Sequence, residues 1–354
     1  MLGIIKKDTK TMQSNTQASL DQQYGMYNLE QGMVTRKNRG HYQVQWQKMD
    51  LRCTISSRLR KRLIYPTADP ASLRHIVRDV KDINMIDPIA IGDHVHFINN
   101  GDGTGHIVDV LPRKNKLSRG AAIGADRIIQ GQVQMEQVLV ANVDQVVIVM
   151  PAAQPAPNAR LLDRYLVAAE SAELPTLICV TKHDLVKKPA KLAAFLERYH
   201  TIGYVSLITS AVSGEGIPQL HQQLTGRISL LMGKSGVGKT SLLNAIQPEL
   251  GLHVNAVREK DGRGRHTTTH LELFPLDSGG GLIDTPGMRE FAFWDIAGSD
   301  IAYAFPEMRP YLGQCRFGVS CAHDTEPDCA IKQAVAQGAI HPQRYDSYLR
   351  LARE

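Results

Sequence analysis

The octapeptide GKSGVGKT, residues 233–240, constrains this chain more than any other stretch. It fits the pattern G-x-x-x-x-G-K-[ST] at Gly233, Gly238, Lys239 and Thr240. Glycines in such a loop let backbone N–H groups turn inward around phosphate oxygens, at a helix start where the dipole favours anions. The context agrees: the apolar run RISLLM precedes the loop as a strand, and TSLLNAI follows as a helix ended by Pro248. Gly233, Lys234, Ser235, Gly236, Val237, Gly238, Lys239, Thr240 and Ser241 are therefore expected to hold a nucleotide's phosphates. Lys239 would neutralise the β and γ oxygens, and the Thr240 hydroxyl would ligate Mg²⁺. A strand–loop–helix unit of this kind belongs in a mostly parallel α/β sheet.

Two downstream elements complete a phosphate-sensing set. LIDTPG, residues 282–287, ends an apolar strand with Asp284, placed to hold the Mg²⁺ shell, and offers the Gly287 N–H to a γ-phosphate. Between it and the octapeptide lies GRGRHTTTH, a glycine-rich basic loop able to close on Mg²⁺ and γ-phosphate through one threonine, with Thr268 the candidate. The position after Gly287, where many GTPases carry a water-orienting Gln, is Met288. Intrinsic hydrolysis is therefore expected to be slow, with His266 as the internal candidate for orienting water.

A base-reading pair of loops is also present, upstream of the octapeptide. Thr181-Lys182-His183-Asp184 follows the apolar strand PTLICV, and Ser210-Ala211 follows the next strand, YVSLITS. A carboxylate at Asp184 can accept from guanine N1–H and the 2-amino group together, whereas adenine offers neither donor in that arrangement. Lys182 would pack along the base, and backbone N–H groups at Ser210-Ala211 would meet guanine O6. The order along the chain is thus base, base, phosphate, switch, switch, where an ordinary GTPase runs phosphate, switch, switch, base, base. Joining the usual ends through SGEGIPQLHQQLTGRISLL and cutting before the base loops gives this order once around. Termini of compact domains often lie close together, so the same sheet can form from a circularly permuted chain.

The flanks differ in character. Residues 1–33 are polar and are read as a tail. HYQVQW, LRCTIS, IGDHVHFI and TGHIVDVL alternate between turn signals and predict a small antiparallel barrel. Its basic residues cluster in two acid-free runs, which include Arg58, Arg60, Lys61 and Arg62 in one and Arg113, Lys114 and Lys116 in the other. With a net charge of +6, they suggest a surface for a nucleic-acid backbone. Beyond residue 290 the pattern turns helical around CRFGVSCAHDTEPDC. Cys315, Cys321, His323 and Cys329 suit a closed tetrahedral zinc site of structural kind. The N-terminus lacks a signal-peptide core, no window reaches the ~20 apolar residues of a membrane span, and a soluble cytoplasmic protein is expected.

Together these motifs resemble the small-ribosomal-subunit-dependent GTPase A family of bacteria, over residues 34 to 354. The quoted residues that carry the resemblance are LPRKNKLSR, GKSGVGKT, GRHTTT, DTPG and the cysteine–histidine cluster. Two departures are visible: five residues separate Cys315 and Cys321 where the family usually has four, and Thr181 stands where Asn is commoner. The resemblance implies a multidomain chain: an RNA-binding OB-fold at 34–120, a circularly permuted GTPase domain at 121–290, and a helical zinc-binding domain at 291–354. It implies a monomeric GTP hydrolase that uses Mg²⁺, binds the 30S subunit and 16S rRNA, acts late in subunit maturation and is stimulated by the subunit. The competing expectation is a GTP-dependent rRNA-binding switch with negligible catalysis. A phosphate-loop ATPase or kinase is disfavoured by Asp184 and Ser210-Ala211.

Overall fold

The computed structural model describes residues 29–38, 40–64, 89–121, 135–251, 271–284 and 298–354. The chain divides into two compact units, one ending at Arg113 and the other beginning at Lys114. In the first, β1 (Leu29–Asn38), β2 (His41–Trp46), β3 (Met49–Ile55), β4 (His94–Asn99) and β5 (Thr104–Val110) form a closed barrel. The order is β1-β2-β3-β5-β4, with β4 returning to β1. Only β3 and β5 run parallel, and helix α1 (Ser57–Ile64) intervenes between β3 and β4 in the chain. This is the OB-fold arrangement.

Alternation builds the barrel: Val44, Leu51, Cys53, Val95, Phe97 and Ile107 point inward and are buried, with polar neighbours between them. Gly32 allows β1 to pair on both edges, since a Cβ there would come within 2.5 Å of Val44 Cγ1. The barrel begins five residues before the expected boundary, at Leu29 rather than residue 34. It also ends earlier than residue 120, because β6 (Lys116–Ala121) pairs with β7 (Met135–Ala141) in a separate ribbon of the second unit.

The second unit carries the α/β sheet. Its strands are β8 (Gln145–Pro151), β9 (Thr176–Thr181), β10 (Val205–Ile208), β11 (Arg227–Met232), β12 (Glu272–Pro275) and β13 (Gly280–Asp284). They lie in the order β10-β9-β8-β11-β13-β12, all parallel except β12. The strand leading into GKSGVGKT, β11, is central, although three sheet strands precede it in the chain. Permutation of the motif order has left a contiguous parallel sheet.

Helices follow where the sequence places them. In α2 (Ala159–Ser171), Asn158 caps the start by accepting from Leu161 N at 3.1 Å, and Leu162, Tyr165, Leu166 and Ala169 are buried. The fixed φ of Pro189 starts α3 (Pro189–His200). The connector assigned to closing the usual ends forms α4 (Ile217–Leu224), with Leu220 and Leu224 buried against the sheet core. After the glycine loop comes α5 (Lys239–Ile246). Toward the C-terminus, α6 (Gly298–Tyr303), α7 (Ala330–Ala336) and α8 (Pro342–Ala352) enclose Phe305, Met308, Ile331 and Tyr348. The helical pattern after the cysteine cluster is interrupted at Gly338, whose φ of 78° ends α7 before His341 starts α8.

Candidate functional site

The phosphate loop is shaped by close approach of backbone. A Cβ on Gly233 would lie 2.6 Å from Val149 O, so only glycine lets β11 turn beside β8. Gly236 and Gly238 have φ of 80° and 102°, the left-handed region that favours glycine. Lys239 opens α5, is buried, and donates from Nζ to Gly233 O at 2.7 Å. Burial lowers its pKa, and the Asp284 carboxylate acts in the opposite sense. Asp284 is buried at the end of β13, in register with Leu231 of β11, so carboxylate and ammonium converge on one end of the sheet. Thr240 is half-buried on the first turn of α5.

The base loop reaches the same place from β9. The Thr181 hydroxyl lies 2.5 Å from Val237 O and 3.2 Å from Met150 O. Lys182, left-handed at φ 59°, donates from Nζ to Gly236 O and Gln154 O, both at 2.8 Å. Burial lowers its pKa, with Asp184 opposing. The two loops, more than fifty residues apart in sequence, are therefore bonded directly to each other. Thr181 supplies the cross-loop tie that its hydroxyl permits.

Asp184 and the Ser210 loop also meet. Ser210 Oγ donates to Asp184 Oδ1 at 2.6 Å and accepts from Val212 N and Ser213 N at 3.3 and 3.2 Å. The carboxylate stays exposed and able to accept a base edge, while Ser210 is fully buried. Two participants carry no motif and were missed in the sequence: Gln154, through its carbonyl, and Glu215, whose Oε2 lies 2.8 Å from His183 Nδ1. His266, Thr268 and Gly287 lie outside the described residues.

The cysteine–histidine cluster is assembled as expected, Cys315 included. Ligand atoms of Cys315, Cys321, His323 and Cys329 all lie within 4.8 Å of one another, and all four residues are buried. His323 Nδ1 is 3.4 Å from the sulfurs of Cys315 and Cys329, which are 3.7 Å apart. A metal bound by thiolates at ~2.3 Å in tetrahedral geometry would space them at roughly 3.8 Å, so the cluster could hold such an ion. The loop is braced by Glu326, which accepts from Ala322 N and Asp324 N at 2.9 Å, and by Tyr345 OH, which donates to His323 O at 2.6 Å.

The basic clusters divide. Arg58 and Arg60 are exposed on α1, where Leu59 is the residue turned into the barrel core, and Lys61 and Arg62 continue the same helix. Arg113 instead makes a bidentate pair with Asp93, at 2.7 and 2.6 Å, and Asp93 is fully buried. Lys114 Nζ donates to Asp144 at 2.9 Å, and Lys116 is exposed on β6. The charges of Arg113 and Lys114 are thus already matched within the protein.

Comparison with known proteins agrees with this arrangement. Residues 110–294 match the family model described as RsgA GTPase. The small ribosomal subunit biogenesis GTPase RsgA of Gemmatimonas aurantiaca is 41% identical over 268 residues, which cover 75% of this chain and 84% of that protein. Its namesake in Pseudomonas fluorescens is 44% identical, covering 73% of each. Among solved structures, YjeQ from Thermotoga maritima superposes with a TM-score of 0.67 at 30% identity, covering 92% of this chain and 98% of that one. YloQ, described as a circularly permuted GTPase, gives 0.64 at 29% identity, covering 92% and 94%. With its nucleotide loops permuted yet bonded into one site, this chain belongs to the RsgA GTPase family.

Proposed function

We propose that this protein is a cytoplasmic, monomeric GTPase that binds the 30S ribosomal subunit and its 16S rRNA late in subunit maturation, and that the subunit stimulates its hydrolysis. The observation that carries the reading is the direct bonding of the base loop to the phosphate loop through Thr181 and Lys182. The names of the 41% and 44% identical relatives supply the process.

In this reading Asp184, held by the Ser210 hydroxyl, accepts from guanine N1–H and the 2-amino group, and the Ala211 N–H faces O6. Adenine would set its N1 lone pair against that carboxylate and its 6-amino group against the Ala211 N–H, so neither contact forms and adenine is disfavoured. Lys239 gives up its bond to Gly233 O and turns to the β and γ oxygens, whose negative charge favours its protonated form. Thr240 and Asp284 offer a hydroxyl and a carboxylate, the oxygen donors that Mg²⁺ prefers, and would hold it. When bound, that ion neutralises charge on the phosphate oxygens. Thr268 and the Gly287 N–H complete the γ-phosphate contacts, and His266 orients the attacking water.

The metal of the C-terminal cluster is proposed to be zinc, one per chain. Three thiolates and an imidazole leave no position open, so its part is structural. The rRNA contacts are proposed on Arg58, Arg60, Lys61 and Arg62 of the barrel unit and, separately, on Lys116 of the second unit, with Arg113 and Lys114 each contributing through the fold of its own unit.

Steady-state GTP turnover measured against added 30S subunits tests the reading. Saturable stimulation, with competition by GDP and none by ADP, is the expected result. A rate that 30S subunits leave flat would replace it with the non-catalytic switch.

A further inference from the structure

The loops that would read the base are joined by three bonds, only one of which has an assigned motif residue at both ends. His183 N donates to Thr209 O at 3.2 Å behind the site, and Ser210 Oγ donates to Asp184 within it. The third bond is at the outer rim, where the His183 imidazole donates from Nδ1 to Glu215 Oε2 at 2.8 Å. His183 is the residue next to Asp184.

Glu215 is placed there by a tightly closed turn. Its carbonyl accepts from Ser210 N at 2.9 Å, and Gly214 N donates to Ser210 O at 2.9 Å. Gly214 and Gly216 flank it with φ of 79° and 69°. A Cβ on Gly216 would lie 2.0 Å from Ile208 O, so the turn cannot close with another residue there. The carboxylate of Glu215 therefore moves with Ser210-Ala211, and the imidazole of His183 moves with Asp184.

Resting on the assignment of Asp184 as the base reader, we propose that Glu215 is a positioning residue for guanine recognition, setting Asp184 against the Ala211 N–H through His183. Guanine must be met on its N1–H and 2-amino edge by one loop and on O6 by the other at once. The loops come from different strands, β9 and β10, so their spacing must be set across the gap between them. The His183 N–Thr209 O bond holds the loops together behind the site and the Ser210–Asp184 bond holds them within it. The His183–Glu215 bond adds a third point, at the solvent-facing rim beside Asp184. Its side chains are 28% and 49% exposed, so the pair adds little to folding stability, and its effect lies in register.

The test measures affinity for GDP and for IDP, whose base lacks the 2-amino group, by calorimetry on the full chain. Glu215→Ala and His183→Ala should each lower GDP affinity by roughly threefold to fivefold, the range of one exposed pair, with a smaller loss for IDP. The GDP-to-IDP preference should therefore fall, while the thermal midpoint stays at that of the parent. The double variant should bind GDP no more weakly than the weaker single variant. His183→Asn, whose amide can donate from nearly the same position, should restore most of the preference. Additive losses in the double variant, or an unaltered GDP-to-IDP ratio in both alanine variants, would overturn the proposal. Asp184→Asn is the companion measurement. If it moves preference to XDP while Glu215→Ala leaves the ratio alone, only the positioning role falls. If it leaves GDP affinity intact, the base-reading assignment falls too.

Discussion

Arg344 Nη1 donates to Asp163 Oδ1 at 2.9 Å, with both side chains at most 1% exposed and 181 positions apart in the sequence. Arg344 also reaches Glu307 at 2.6 and 3.2 Å and lies over the Phe305 ring at 4.5 Å. Ser347 Oγ and Tyr199 OH donate to Asp163 at 2.5 and 3.0 Å. Burial alone would favour losing the Arg344 proton, but the Glu307 and Asp163 carboxylates outweigh it and hold the guanidinium charged. The network pins α8 of the C-terminal helices to α2 beside the sheet.

Arg344→Met keeps the bulk and removes the charge, which strands two buried carboxylates. A loss of roughly 3–5 kcal/mol in urea denaturation is expected. A change below about 1 kcal/mol would show that these carboxylates find other partners.

For the metal cluster, protein purified reduced and without chelator should contain about one zinc per chain by elemental analysis. Cys321→Ser and His323→Ala should each lower that content. Chelation should open amide exchange in 305–350 before the sheet, because such a site contributes its folding energy locally. Metal-free protein with unchanged exchange there would contradict the assignment.

The basic residues should separate by experiment. Arg58→Glu with Arg60→Glu should weaken 30S binding and lower the log–log salt slope by roughly 0.7–0.9 per lost phosphate contact, leaving stability intact. Arg113→Ala should act differently, costing stability because Asp93 is fully buried beneath it. Equal effects of both on binding, with neither affecting stability, would be inconsistent with the pairing seen here.

His341 supplies a pH dependence. It caps α8 by accepting from Gln343 N at Nδ1, 3.2 Å away, which a protonated imidazole cannot do. Burial, then the charge of Arg198, push its pKa below the usual histidine value, with Asp163 opposing. The folded-state value is depressed, so this contribution is complete above about pH 6.5 and is lost as pH falls through the lower folded value. The urea midpoint should drop between pH 7 and pH 5 by more in the parent than in His341→Asn, which caps without titrating. Parallel curves would remove the cap from the account.

His266 stands on sequence alone, since it lies outside the described residues. His266→Ala should keep GTP and 30S binding but lose tenfold or more of the stimulated rate, at least about 1.4 kcal/mol of barrier. Full stimulation in that variant would leave the catalytic group to the ribosome.

Much of this was legible because the signals are local. GKSGVGKT, TKHD and the cysteine cluster each specify chemistry within a few residues, Asn158 caps a helix with its own side chain, and Pro189 and Pro248 punctuate helices through their fixed backbone. What stayed hidden depends on contacts across the chain. Arg113 looks like part of a basic run until Asp93, twenty residues away, is seen beneath it. Glu215 sits in an ordinary glycine turn, and only folding brings it to His183. Leu29 to Met33 carry no clear alternation, and they become a strand because β4 supplies their partners, with β2 joining β1 only from Met33 onward. Arg344 is an unremarkable charge on an amphipathic helix until α2 covers it.

The strand order β10-β9-β8-β11-β13-β12 also says how the sheet can be assembled as the chain is synthesised. β9 can add to β8, and β10 to β9, leaving the other edge of β8 open. β11 then adds to that edge, and the β12–β13 hairpin docks on β11 as a unit. No strand has to wedge between two already paired. The strands bearing the 181–184 and 210–211 loops therefore form one growing edge, and the 233–240 loop takes its final place when β11 joins the other.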